Sequence, residues 1–192
     1  DKGVLFFRAD GMLPPKDRKG QRPEPEPTIL YQGGIEDPRV AWDGDRYAVV
    51  WSSSVPGGRR IMLQRVSNRG VRLGNPVVVS VTAGVSRNPE IAPMSGGFAV
   101  VWTNAAPEGE NPRDRYRLFF AFVGEKGDAP ISTRQLEFNG SADHVSVAAG
   151  SAECGIAWVG SIEPQGSAVF FARLDKSGKT LGETLHVSDG FP

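Results

Sequence analysis

The chain is poor in the residues that most often carry chemistry. It has one cysteine, Cys154, and two histidines, His144 and His186, among 192 residues. A single cysteine excludes an internal disulfide, and the histidines fall in no metal-ligand spacing. Net charge is also missing: Lys plus Arg and Asp plus Glu both total 22. A balanced chain has no general attraction for nucleic acid or an anionic membrane. No apolar run approaches the roughly 20 residues that span a bilayer as a helix. Nor does any stretch carry a helical period bounded by caps.

Glycine (24) and proline (15) are plentiful, as a chain of many short strands and turns requires. A strand running into a glycine turn occurs four times: Val4–Gly11, Ile61–Gly70, Leu118–Gly127 and Val169–Gly178. An apolar run closing on tryptophan precedes three of them: Tyr47–Trp51, Phe98–Trp102 and Gly155–Trp158. Trp51, Trp102 and Trp158 are 51 and 56 positions apart, and the longer loop Thr103–Arg117 in the second repeat absorbs the difference. Self-similarity at this period marks a repeat architecture whose units bury their faces against one another.

Each repeat reads as four strands. A short one opens after proline (Pro38–Trp42, Pro89–Pro93, and more loosely His144–Ala148). The tryptophan strand, the phenylalanine-rich strand and an outer strand (Asn75–Val81, Ser132–Phe138, Glu183–Ser188) follow. Four antiparallel strands per unit match one blade of a β-propeller. The fold expected is all-β: about three and a half blades in a single segment over 1–192. A half blade occupies 1–34, and full blades occupy 35–85, 86–140 and 141–192. The proline-rich stretch Pro14–Pro27 cannot sit inside a sheet and reads as an exposed insertion. An open arc leaves apolar blade faces uncovered at both ends. The expectation is therefore that the parent protein continues, or that a companion chain completes the ring. The opening Asp1-Lys2-Gly3 runs straight into a strand, as if cut from within a larger protein.

The blade form P-x-(I/V)-A, G-(F/Y)-A-V-V-W, an apolar strand and D/N-x-x-G is carried by Pro38–Trp51 with Ile61–Gly70. Pro89–Trp102 with Leu118–Gly127 carries it too, and Val145–Trp158 with Val169–Gly178 does so loosely. It resembles the propeller repeats of large exported or surface bacterial proteins. That resemblance implies a binding, adhesion or assembly role and an extracellular, cell-surface or periplasmic setting.

Three chemistries are weighed against this reading. Asp175-Lys176-Ser177-Gly178-Lys179-Thr180 is similar to the S-x-D-x-G-x-T-W turn of sialidases, but Leu181 stands where tryptophan belongs, so a hairpin turn is expected. Asp43-Gly44-Asp45 offers too few carboxylates for calcium, and the equivalent turns have none. The three repeated tryptophans suit blade packing or, alternatively, a lectin's sugar-stacking platform. Cys154 reads as a small buried side chain.

The expectation is a non-catalytic binding module with no metal and no cofactor. Its partner is a protein, a companion chain completing the propeller, or a glycan. A carbohydrate-binding lectin and a sialidase-like hydrolase fragment are the alternatives. Loops between second and third strands, and between blades, share one rim, which gathers Glu36, Asp37, Arg59, Arg60, Arg113, Asp114, Arg115 and Asp143. The arginine-bearing loops correspond in successive blades and suit an anionic partner. Candidate partner-binding residues are Arg59, Arg60, Arg113, Asp114 and Arg115, together with Trp42, which has no aromatic counterpart in the next blade.

Overall fold

The computed structural model describes residues 3–6, 18–20, 28–80, 84–105, 116–127, 129–162 and 166–188. All regular structure among them is strand, in fourteen elements. β1 (Gly3–Phe6) and β2 (Thr28–Gln32) pair as a two-stranded sheet. The first full blade comprises β3 (Ile35–Trp42), β4 (Arg46–Val55), β5 (Gly58–Ser67) and β6 (Arg72–Val78). The second comprises β7 (Gly84–Met94), β8 (Gly97–Ala105), β9 (Tyr116–Gly124) and β10 (Ser132–Gln135). The third comprises β11 (Ser141–Ala149), β12 (Glu153–Ile162), β13 (Gly166–Asp175) and β14 (Leu185–His186). Each blade is an antiparallel meander whose neighbours in sequence are neighbours in the sheet.

Blades stack through apolar faces. Leu30 of the half blade packs with Ile35, Val49, Trp51 and Val66 of the first blade. Ala41, Ala48, Val50, Ile61 and Leu63 of the first blade meet Ile91, Phe98, Val100, Trp102 and Phe119 of the second. Ala99, Val101, Leu118, Phe120 and Phe122 meet Ile156, Trp158, Phe170 and Ala172 of the third. The central strands are therefore buried on both sides, which explains why their sequences are continuously apolar rather than alternating. In β13 alternation returns (Val169 and Arg173 exposed, Ala168 and Leu174 buried), because no described strand covers its far face. The repeated tryptophans Trp51, Trp102 and Trp158 are core, which removes the sugar-stacking platform from the lectin alternative. Between blades, β5 and β7 touch in a two-residue parallel contact, Gly58 with Gly84 and Arg59 with Val85. Arg65 also reaches across, donating to the Gly124 and Gly127 carbonyls at 2.6 and 3.2 Å. The ring is not closed by these strands.

The inner strands begin earlier than the sequence pattern suggests, before Pro38, Pro89 and His144. β3 starts at Ile35, β7 at Gly84 and β11 at Ser141, because each passes through a bulge instead of starting after it. Of the proline-rich stretch Pro14–Pro27, only Arg18–Gly20 is described, as an exposed turn; the rest lies outside the described residues.

Cys154 is 1 % exposed among the core of the second and third blades. Burial, then the charges of Glu153 and Asp175, push its thiol from 9.0 to about 11. Native protein at about pH 8 is expected to resist thiol reagents and to label fully once unfolded in concentrated urea. The sign of the pH dependence follows. A raised folded-state value means the folded chain keeps the proton longer. The contribution is whole below 9.0 and is lost as pH rises toward about 11. Chemical denaturation across that range should show this loss in the wild-type chain and its absence in Cys154→Ala. Fast native labelling would contradict the burial.

Candidate functional site

The innermost strands of the three blades share one departure from regular geometry. Asp37, Asn88 and His144 have φ of 54°, 50° and 47°, and no other described non-glycine residue has positive φ. Each sits inside a register shift, between Glu36 and Arg39, Arg87 and Glu90, and Asp143 and Ser146. Left-handed non-glycine residues cost of order 1 kcal/mol or more, least for Asn and Asp. Such bulges re-aim side chains beside functional sites. Recurrence at the same place in three blades makes this a built feature. It sets a carboxylate, a carboxamide and an imidazole along the axial rim.

Polar contacts join these strands around the axis. Arg39 donates through Nε to Glu90 Oε1 at 2.7 Å, linking the first and second blades. Asn88 Nδ2 donates to Asp143 Oδ1 at 3.2 Å, linking the second and third. The same Asp143 oxygen accepts the His144 backbone N–H at 2.9 Å. The rim is thus an arc of planar hydrogen-bonding groups with both signs of charge.

Arg59 and Arg60 lie on this rim, where sequence places them. Arg59 is paired with Glu36 through both guanidinium nitrogens, and Arg60 donates to the Arg59 and Gly84 carbonyls at 3.2 and 3.4 Å. Arg59 thereby ties the loop to β3 of its own blade, and Arg60 ties it to the start of β7. Behind them Arg87 stands over the Tyr116 ring, 5.3 Å from its centroid. Arg113, Asp114 and Arg115 lie outside the described residues. Trp42 lies apart from this group. It ends β3 at the opposite rim, six residues beyond Glu36, about 20 Å away at strand rise. Its ring lies 4.4 Å from that of Tyr47 and it is 41 % exposed.

The opposite rim holds a cavity of about 370 Å³ bounded by the hairpin turns of all three blades, with Asp43, Asp45, Arg46, Glu125, Gly96 and Ser151 in its wall. Its carboxylates serve the scaffold. Arg46 lies 3.4, 3.0 and 3.7 Å from Asp43, Asp45 and Glu125, and Asp43 Oδ1 accepts the backbone N–H groups of Asp45 and Arg46. Among the described residues, no group of three or more His, Cys, Asp or Glu is placed to hold a metal. The sialidase-like segment is a hairpin turn. Asp175 Oδ1 accepts from Ser177 N and Oγ and from Lys179 N, and the Ser177 hydroxyl holds the carboxyl below its ordinary range.

The shared bulge was not found by sequence reading, although one signal was present. In two blades a polar residue stands immediately before the inner-strand proline, in Asp37-Pro38 and Asn88-Pro89.

No protein-family model matches the sequence, and no curated protein matches it. Among solved structures, a thermostable family-43 glycoside hydrolase, a five-bladed β-propeller, is similar over 86% of this chain and 64% of its own, with 14% identity and a TM-score of 0.53. The catalytic domain of the Coprinopsis cinerea GH62 α-L-arabinofuranosidase aligns over 80% of this chain and 50% of its own, at 12% identity and a TM-score of 0.45. The chain thus spans less than two thirds of either protein. At such identity the first likeness bears on fold alone, and the chain is an all-β propeller segment.

Proposed function

We propose that this chain is a non-catalytic binding module whose axial rim takes a hydroxyl-rich ligand, a glycan, within a larger exported or surface assembly. The observation that supports it is the repeated left-handed position: Asp37, Asn88 and His144 occupy equivalent strained sites in three successive blades. Planar carboxylate, amide and guanidinium groups bind vicinal hydroxyls by paired hydrogen bonds, and backbone strain tends to collect at ligand clamps. A binding role is favoured over hydrolysis because the rim's Glu36 and Glu90 are each held by an arginine, Arg59 and Arg39. The likeness of the repeats to surface propellers supports the exported setting.

A glycan array tests the reading. Retention of one glycan class is expected, weakened at least tenfold (about 1.4 kcal/mol) by Asp37→Ala with Asn88→Ala and unchanged by Trp42→Ala. Incubation with the retained glycan should release no reducing sugar. Retention indifferent to the double substitution would sink the axial site, and sugar release would restore the hydrolase reading.

A further inference from the structure

The connection from the second blade to the third is short and fixed at both ends. It covers residues 136–140, between β10 and β11. Leu136 and Phe138 turn into the core, and the Phe138 ring lies 5.4 Å from that of Trp158 and 5.0 Å from that of Phe170. Beyond the turn Ser141 pairs with Ser161, and Ala142 is wholly buried. Asn139 stands exposed between these anchors, followed by Gly140. Gly140 has φ of +140°, and a Cβ there would lie 2.2 Å from the Ser161 carbonyl oxygen. The fold therefore requires glycine after this asparagine.

An asparagine before glycine is the one whose carboxamide the main chain attacks most readily, because no side chain shields the nitrogen. The other five asparagines of the chain lack that opening. Asn75, Asn88 and Asn111 precede proline, whose nitrogen carries no hydrogen. Asn104 is buried within β8. After Asn68 comes Arg69, which bears a side chain and whose N–H donates to Ser67 Oγ at 3.3 Å.

We propose that Asn139 is a site of self-modification, deamidating through a succinimide. The Gly140 main-chain nitrogen gives up its proton to hydroxide and attacks Asn139 Cγ. The new C–N bond closes a ring and expels the side-chain nitrogen as ammonia. Water then adds to either ring carbonyl and that carbonyl's C–N bond breaks, leaving aspartate or isoaspartate at position 139. The net change is water in and ammonia out, with nothing oxidised or reduced. Both products place a negative charge beside the exposed Glu137. Isoaspartate also routes the main chain through the side-chain carbon, one methylene longer. A connection seated by Phe138 on one side and Ala142 on the other has no slack for it, so the seam where Asn88 meets Asp143 is displaced. The site is independent of what the axial rim binds.

The purified chain, held at about pH 8 and roughly 37 °C, tests this when mapped by mass spectrometry at intervals. The expected result is a gain of about 1 Da at residue 139, with an equal release of ammonia. It should outpace any gain at Asn68 by roughly tenfold or more. Asn139→Gln, a change at an exposed position, should abolish it, since the longer side chain closes its ring far more slowly. Converted wild-type chain should melt below fresh protein, whereas Asn139→Gln held in the same way should not. Earlier gain at Asn68 would overturn the proposal. So would an intact Asn139 in the folded chain after the urea-unfolded chain has converted, or equal melting of converted and fresh protein.

Discussion

Trp102→Ala is expected to lower the free energy of unfolding by about 4 kcal/mol and the melting temperature by about 10 °C. The side chain is wholly buried in the interface between the first and second blades, stacked on Phe119 at 5.5 Å and 16°. Truncation removes most of a large aromatic surface from that interface and leaves a cavity that two flat sheets cannot close without moving apart. Among the described residues no acceptor faces its indole N–H, so Trp102→Phe forfeits no hydrogen bond and should cost less than half as much. Urea denaturation followed by circular dichroism measures both. A loss under about 1 kcal/mol for the alanine variant would mean that the blades are not stacked as described.

Gly58→Ala should be comparably damaging, by about 3 kcal/mol, through a different cause. Gly58 has φ of +144°, and a Cβ there would lie 2.2 Å from the Gly84 carbonyl oxygen. That carbonyl belongs to the parallel contact where β5 meets β7, so the clash can be relieved only by separating the two blades. The adjacent Gly57 is the control: its φ is also positive, at +83°, but an added Cβ meets nothing within 4 Å. Gly57→Ala should therefore cost only the backbone strain, about 1 kcal/mol. Equal losses in the two variants, measured by the same denaturation, would show that the contact between blades carries no particular stability.

What sequence could disclose follows from how local each feature is. The tryptophan and phenylalanine strands were legible because burial on both faces leaves an unbroken apolar run, as in Phe98–Trp102 and Leu118–Val123. Their order within a blade was legible because each strand pairs with the next in sequence. The starts of β3, β7 and β11 were not, since a bulge preserves neither the alternation nor the register by which a strand is traced. At the candidate site, sequence located Arg59 and Arg60 on the rim, but their partners Glu36 and Gly84 depend on how blades meet. Trp42 was grouped with them by its singularity. Only the strand's direction shows that it faces the other end of the blade.

The meander pattern within each blade also governs how the chain reaches this state. Hairpin partners lie only a turn apart, so strand pairing within a unit needs no distant sequence, while the unit's faces are buried only when its neighbours are in place. Each finished unit then offers a ready platform on which its successor condenses.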